Sequence, residues 1–149
     1  MRNKLVLLLF VLGVTACGLA IGYTTAPDGW YTGLVKPFFN PPAWLFAPAW
    51  TLLYIMIGIA GWRAWVTGSE RLQRIWWAAL VLNFLWSPVF FGMKMIGAAL
   101  AVILLMDCMV AIFMAEARKR DKTAFWLFVP YALWLAYATL LNGAIFVLN

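Results

Sequence analysis

Long apolar stretches, separated by short segments that contain charges or prolines, dominate the pattern of this sequence. An α-helix needs about 20 apolar residues to cross a hydrocarbon core roughly 30 Å thick. Five stretches approach or exceed that length, and they cover residues 5–23, 44–65, 75–91, 96–115 and 123–148. They lack the polar–apolar alternation of a membrane β-strand. The pattern therefore predicts an all-α integral membrane protein, a five-transmembrane-helix bundle forming one domain over residues 1–149.

Composition favours the same class of protein. Hydrophobic residues make up 66% of the chain and charged residues only 11%, whereas an average soluble domain has about 25% charged residues. So few charges cannot cover the surface of a soluble domain of this size. Lipid is therefore the expected surrounding of the helices.

Basic residues are distributed unevenly between the two sides that five spans create. Nine of the eleven precede the first span or lie at the second and fourth connections: Arg2, Lys4, Arg63, Arg71, Arg74, Arg118, Lys119, Arg120 and Lys122. The other side carries only Lys36 and Lys94. The positive-inside rule predicts a cytoplasmic N-terminus and an outer C-terminus, in what we expect to be a bacterial cell membrane. Because the net charge of +6 reflects topology, we expect no nucleic-acid partner.

The first stretch also resembles a bacterial lipoprotein signal, since basic residues and an apolar run precede Val-Thr-Ala-Cys at residues 14–17. However, the apolar run continues past Cys17 to Ile21, so it is long enough to span. Gly18 and Gly22 have the spacing of small residues that let helices approach in lipid. We therefore favour a retained transmembrane helix.

Several classes of chemistry are excluded by what the sequence lacks. It contains no histidine, and its two cysteines, Cys17 and Cys108, fall inside apolar spans. A histidine-containing catalytic triad is impossible, and no cluster has the spacing of a zinc or copper site. We therefore expect no metal and no required cofactor.

Aromatic residues make up 17% of the chain, including ten tryptophans. Trp30 and Tyr31 lie in the segment of residues 25–43, after the first span, where Pro37, Pro41 and Pro42 restrict the backbone. We therefore predict an ordered, lid-like loop.

Three stripes of aromatic and polar residues have helical spacing within the spans. Their members are Ala47, Trp50, Thr51 and Tyr54; Asn83, Trp86, Ser87 and Phe90; and Trp134, Ala138, Leu141 and Asn142. Amides are not expected to face hydrocarbon, so the stripes should face the bundle interior. Two interpretations remain open: contacts that hold helices together, or a cavity walled by flat rings that accepts a large planar apolar ligand.

Asp107 is the one acid deep in a predicted span. A charge at that depth is costly, so we expect it to be neutral, paired or directed inward. It is either a proton or ligand contact or an acid hydrogen-bonded across helices.

Several strings resemble, in order along nearly the whole chain, the tryptophan-rich sensory protein family, also called TspO/MBR, which includes translocator proteins (peripheral-type benzodiazepine receptors). They are Trp30-Tyr31, Lys36-Pro37, Asn40-Pro41-Pro42 and the segments at residues 50–54, 83–92, 130–134 and 138–142. The resemblance implies five helices around a cavity closed by the first loop, and frequent homodimers. It also implies that the protein is a membrane receptor or carrier in tetrapyrrole or stress regulation. The implied ligands are porphyrins such as protoporphyrin IX, haem-like tetrapyrroles, and isoquinoline-carboxamide or benzodiazepine-type compounds.

Carried over residue by residue, the resemblance implies a ligand pocket formed by Trp30, Tyr31, Trp44, Ala47, Trp50, Asn83, Trp86, Trp134, Ala138, Leu141 and Asn142. Two other functions remain open. One is light-dependent porphyrin degradation, with Trp30, Tyr31 and Trp134 as photo-redox candidates. The other is a membrane scaffold that modulates a partner protein.

Two departures from the family pattern matter. The cholesterol motif of mitochondrial members needs a Tyr and then a Lys or Arg near the end of the last span, and residues 143–149 contain neither. We therefore expect poor sterol binding there. In addition, Phe39 stands where the family often has Trp, which keeps a flat ring but loses an N–H donor.

Overall fold

The computed structural model describes residues 2–149, with side chains from residue 3 onward, as a helical bundle. Its helices are α1 (Arg2–Thr24), α2 (Gly29–Gly33), α3 (Ala43–Val66), α4 (Glu70–Ser87), α5 (Ile96–Arg120) and α6 (Lys122–Leu148). A π-helical turn, Pro88–Gly92, extends α4. Within the described residues, five helices are long and apolar enough to cross a membrane, and there is no strand. The predicted five-helix fold is confirmed.

Helix ends lie beyond several of the apolar stretches because capping side chains set them. The hydroxyl of Ser69 accepts a hydrogen bond from Leu72 N, so α4 begins at Glu70 rather than at residue 75. Likewise, the carboxylate of Asp121 accepts from Ala124 N at the start of α6. Hydropathy identifies the lipid-embedded part of a helix, whereas caps determine where it starts.

Close packing of α1, α3 and α4 depends on glycines. A Cβ at Gly58 would lie 2.7 Å from the Cα of Val11, and a Cβ at Gly61 would lie 2.3 Å from the ring of Trp76. Of the glycine pair predicted to allow close approach in α1, a Cβ at Gly18 would meet the ring of Tyr54, whereas a Cβ at Gly22 would have nothing within 4 Å. Small residues therefore let these helices approach closely, as is common in membranes.

Ion pairs join helix ends at the end of the bundle that carries most of the basic residues. Nη2 of Arg63 lies 2.8 Å from Oδ2 of Asp121, and Nη2 of Arg71 lies 3.2 Å from Oε1 of Glu116. These contacts connect the end of α3 to the start of α6, and the start of α4 to the end of α5. The bundle thus has a basic end and, opposite it, a lid end, defined here as the side that carries residues 25–42.

Candidate functional site

The loop predicted after the first span contains a short helix, α2, because an aspartate caps it. Oδ1 of Asp28 accepts hydrogen bonds from the backbone N–H groups of Trp30 and Tyr31 at 3.0 and 3.4 Å. The two aromatic residues are therefore held side by side in the first turn of α2. Burial raises the pKa of the Tyr31 phenol above its ordinary value.

Aromatic rings from α4 and the π-helical turn contact the aromatic residues of α2. The ring centroids of Trp30 and Tyr31 lie 6.0 and 6.2 Å from that of Phe90, and Tyr31 lies 5.2 Å from Phe91. Trp86 stacks on Phe90 at 5.2 Å with an interplanar angle of 26°. We call these five residues the lid cluster. Neighbouring Phe90 and Phe91 both reach it from the π-helical turn, a local geometry frequent at functional sites.

A second group of rings, the inner cluster, joins α3 to α6. Trp50 stacks on Tyr54 at 5.5 Å and meets Trp134 edge to face at 6.4 Å. Trp134 also contacts Phe46 at 6.3 Å and Tyr137 at 5.7 Å. Trp86 of the lid cluster packs against the same core as Trp50 and Trp134, so the two clusters form one continuous aromatic region.

Two buried amides complete this region. Asn142, which is 1% exposed, accepts a hydrogen bond from Nε1 of Trp86 at 3.0 Å and donates to the carbonyl of Ile96 at 3.1 Å. Nδ2 of Asn83 donates to the hydroxyl of Tyr131 at 2.9 Å. Oδ1 of Asn83 and Nε1 of Trp134 are buried and have no hydrogen-bond partner among residues 2–149. Unpaired buried polar atoms are costly, so these two atoms are the natural points for a bound molecule to bond.

Four polar contacts tether the lid to the bundle, and one of them joins the hydroxyl oxygens of Thr25 and Ser87 at 2.6 Å. Nζ of Lys94 lies 3.0 Å from Oδ2 of Asp28, and this contact holds the pKa of the Asp28 carboxyl below its ordinary value. The side chain of Asn149 accepts from Val35 N at 2.9 Å and donates to Val35 O at 3.0 Å. The hydroxyl of Tyr137 donates to Phe39 O at 2.6 Å. The Thr25–Ser87 contact is part-buried. The other three lie at exposed positions, where such contacts contribute little each.

The structure brings nine of the eleven predicted site residues into or beside the aromatic region. They are Trp30, Tyr31, Trp50, Asn83, Trp86, Trp134, Ala138, Leu141 and Asn142. Trp44 and Ala47 differ, because both are exposed, Trp44 at 72%. Trp44 lies six residues before Trp50, a spacing that puts the two rings on different faces of α3. The structure therefore does not bring Trp44 into the wall that the resemblance implied.

Some residues of the region were absent from the predicted site. Phe46 and Tyr137 lie four residues before Trp50 and three after Trp134, so helical spacing could have indicated both. Phe91 follows Phe90 directly, and regular helical spacing gives no reason to expect adjacent residues on one face. Only the π-helical turn brings it into the lid cluster.

The rings of the predicted cavity wall contact one another in this structure. Two surface grooves, of about 550 and 670 Å³, lie elsewhere. The first is lined by Glu70, Arg71, Arg74, Ile75, Met109 and Ile112, and the second lies between α5 and α6 near Leu104 and Thr139. Neither groove includes a predicted site residue. A planar molecule lying among these rings would have to replace some of their mutual contacts.

Asp107 lies apart from the aromatic region. Its Oδ2 accepts a hydrogen bond from the hydroxyl of Thr139 at 2.8 Å, which links α5 to α6. This contact matches the interpretation of Asp107 as an acid hydrogen-bonded across helices.

Comparisons with known proteins find the same relationship along nearly the entire chain. A model of the TspO/MBR family matches residues 6–148. The "Tryptophan-rich protein TspO" of Archaeoglobus fulgidus is 41% identical over 99% of both chains. The "Tryptophan-rich sensory protein" of Cereibacter sphaeroides is 44% identical over 90% of this chain and 87% of the relative. The human "Translocator protein" is 31% identical over 83% of this chain and 85% of the relative.

Proposed function

Because the chain belongs to the TspO/MBR family, we propose that this membrane protein is a receptor or carrier that binds porphyrins and similar large planar apolar molecules beneath its lid. Its role would lie in tetrapyrrole or stress regulation. The observation that carries the proposal is the continuous aromatic region, in which rings from α2, α3, α4, the π-helical turn and α6 pack together.

The chemistry of this region suits a porphyrin. Flat aromatic side chains contact a flat macrocycle by offset stacking and by their edges. Small-molecule sites typically combine such apolar walls with a few polar groups that fix orientation. Here the unpaired Nε1 of Trp134 and Oδ1 of Asn83 are the donor and the acceptor available for that purpose.

Binding would require the lid to move. Trp30 and Tyr31 contact Phe90 directly, so a porphyrin can enter only if these rings separate. On binding, ring-to-ring contacts would be exchanged for ring-to-porphyrin contacts of similar kind. The exposed tethers of the lid are individually weak, so they add little to the cost of separating these rings.

The proposal is tested by titrating the full chain in non-ionic detergent with protoporphyrin IX, following porphyrin absorbance and tryptophan fluorescence. We expect Trp50→Ala and Trp134→Ala each to weaken binding about tenfold, since each removes a stacking surface. The matched control is Trp126→Ala, because Trp126 is 65% exposed and belongs to neither cluster. Unchanged affinity in both pocket variants would contradict the proposal. Displacement of the porphyrin by an isoquinoline carboxamide would place both compounds at one site.

We also propose that the lid faces the outside of the cell, since the basic end carries nine of the eleven basic residues. A single cysteine at position 36, in a variant whose Cys17 and Cys108 are replaced, should react with a membrane-impermeant reagent added to intact cells. Protection of that cysteine in cells, together with labelling in detergent, would reverse the orientation.

A further inference from the structure

A groove at the basic end of the bundle joins charged side chains to an apolar floor. It lies between the start of α4 and the second half of α5, two helices that pack against each other, and its volume is about 550 Å³. Small-molecule sites have volumes of roughly 300–1,000 Å³. We call it the basic-end groove, and it is lined by Glu70, Arg71, Arg74, Ile75, Met109 and Ile112.

The basic-end groove changes from charged to apolar along its length. On α5, Met109, Ile112, Glu116 and Lys119 follow one another at spacings of three or four residues, so they share one face of the helix. Met109 precedes Glu116 by seven residues, which is about 10 Å of helix. The charges thus lie at the helix ends, and the apolar side chains lie deeper in the span. Such a gradient matches a molecule with a charged head and an apolar chain.

Positive charge exceeds negative charge at the mouth of this groove. Glu116 is shared by two arginines, because Oε1 lies 3.2 Å from Nη2 of Arg71 and Oε2 lies 3.5 Å from Nε of Arg120. Nη2 of Arg74 lies 2.7 Å from Oε2 of Glu70. Three arginines therefore share two carboxylates, which leaves one positive charge without compensation.

The cations have donors to spare. Lys119 forms no ion pair with a carboxylate of residues 3–149, so it adds a second uncompensated charge. The side chains of Arg71 and Arg74 are 68% and 79% exposed, and each guanidinium has five N–H donors. Arginine binds phosphate oxygens in pairs with good geometry. An anionic phosphate at the mouth of the groove would therefore meet free donors.

We propose that the basic-end groove binds a phospholipid with a net negative headgroup, whose phosphate contacts Arg71 and Arg74 and whose acyl chain lies along Ile75, Met109 and Ile112. The positive-inside rule explains why basic residues lie at this end, but not why they stand over an apolar groove between two helices. Basic pockets of this kind between transmembrane helices bind acidic lipid headgroups in other proteins. The groove lies at the end opposite the lid, so the inference does not depend on the proposed function.

Native mass spectrometry of the full chain in non-ionic detergent tests the proposal directly. Equimolar dioleoyl phosphatidylglycerol and dioleoyl phosphatidylcholine share their acyl chains and differ in headgroup charge and in mass, so one spectrum reports both. We expect wild type to bind phosphatidylglycerol in preference. Arg71→Gln combined with Arg74→Gln should reduce this preference about 5- to 10-fold, because each basic residue near an acidic headgroup contributes to binding.

The matched control removes the same charge from the same end of the bundle. Arg118 lies nine residues after Met109, a spacing that directs it to the opposite face of α5, and Lys122 lies at the start of α6. Both are exposed. Arg118→Gln combined with Lys122→Gln should keep the wild-type preference. Loss of preference to the same extent in this control would mean diffuse attraction to the basic end, and the groove would not be the site.

A second variant tests the apolar floor without changing any charge. Ile112 is 39% exposed, so Ile112→Trp should be accommodated while its ring takes the space of the acyl chain. We expect this variant to lose the preference for phosphatidylglycerol. Unchanged preference in Ile112→Trp would contradict an acyl chain in the groove.

Thermal unfolding in detergent gives an independent measurement, because a ligand that binds the folded state raises the Tm. Phosphatidylglycerol should raise the Tm of wild type more than phosphatidylcholine does, and the difference should vanish in the double arginine variant. Glycerophosphoglycerol, the same headgroup without acyl chains, should have no such effect at an equal concentration. An equal rise in Tm with it would identify a simple anion site and overturn the proposal of a lipid site.

Other occupants of the groove would give different results. If wild type binds the two lipids equally, the proposed acidic-lipid site is wrong. If wild type shows that result and Ile112→Trp also converts a dimer into a monomer, the groove is a contact between two copies of the chain instead.

Discussion

Trp76 and Trp134 show two uses of one residue type in two regions of the bundle. Trp76 is 1% exposed, fits against Gly61, and donates its indole N–H to the carbonyl of Ile57 at 3.0 Å. Trp134 is only half-buried, and its buried Nε1 has no partner among residues 2–149. Its ring contacts other flat rings instead of a closely fitted backbone.

We assign the region around Trp76 to stability of the fold and propose that the region around Trp134 serves binding. Around Trp76, packing is close and the polar atom is satisfied, as in a stable protein interior. Around Trp134, the indole donor is unpaired among residues 2–149, and we propose that this region contacts a bound molecule. Substitutions in the two regions should therefore separate the free energy of unfolding from the affinity for a porphyrin.

The largest expected effect comes from removing each indole. Trp76→Ala should lower the free energy of unfolding by about 3–5 kcal/mol, because it leaves a cavity and removes the indole hydrogen bond to the carbonyl of Ile57. Trp134→Ala should lower it by at most about 2 kcal/mol, since that ring is only partly buried. Denaturant titration in detergent micelles measures both losses. Equal losses would mean that the two regions are packed alike.

Adding one methyl group should give the next largest effect. Gly61→Ala places a Cβ 2.3 Å from the ring of Trp76, which a hydrogen bond holds in place. We expect a loss of about 1–3 kcal/mol from overpacking. Gly22→Ala is the matched control, because nothing lies within 4 Å of its added Cβ. A Gly61→Ala protein as stable as the control would show that Trp76 can move.

A smaller effect is expected at the lid. Asn149→Ala removes both hydrogen bonds to Val35 and should destabilise lid closure by about 0.5–1.5 kcal/mol. Hydrogen–deuterium exchange should then quicken in residues 29–36 while the middle of α5 keeps its wild-type protection. Unchanged exchange in the lid would mean that the other tethers hold it closed.

The smallest effect concerns pH. Lys94 lowers the folded-state pKa of Asp28 below the ordinary value of 3.8. The ion pair therefore contributes fully above the ordinary pKa and is lost as pH falls through the lowered folded value. Lid exchange should gain a step of acceleration only below about pH 3.8, and Asp28→Asn should abolish that step. A step of equal size in Asp28→Asn would assign the titration to another group.

Homodimer formation stays a prediction that rests on the resemblance alone. So do light-dependent porphyrin degradation through Trp30, Tyr31 and Trp134 and the scaffold function. Lid opening bears on the photochemical alternative, because Trp30 and Tyr31 would have to leave Phe90 before they could contact a bound ring.

The sequence by itself determined the membrane class, the five spans and most of the residues that form the aromatic region. Each of these follows from local properties: span length from the thickness of the hydrocarbon core, and shared faces from the period of the helix. The stripes that contain Trp50, Trp86 and Trp134 were predicted from this period, and the three partly buried rings pack against the core. The ordered strings of the family pattern supplied Trp30 and Tyr31, which no helical period could have related to distant spans.

Only the tertiary structure decided how the lid closes and which rings meet. The cap by Asp28, the bonds from Asn149 to Val35, and the exposure of Trp44 depend on contacts or directions that hydropathy does not encode. The π-helical turn brings Phe91 into the lid cluster by breaking the regular period on which the sequence argument relied. Local periodicity fixes which face a residue takes within its own helix, whereas contacts between distant segments are fixed only when the whole chain packs together.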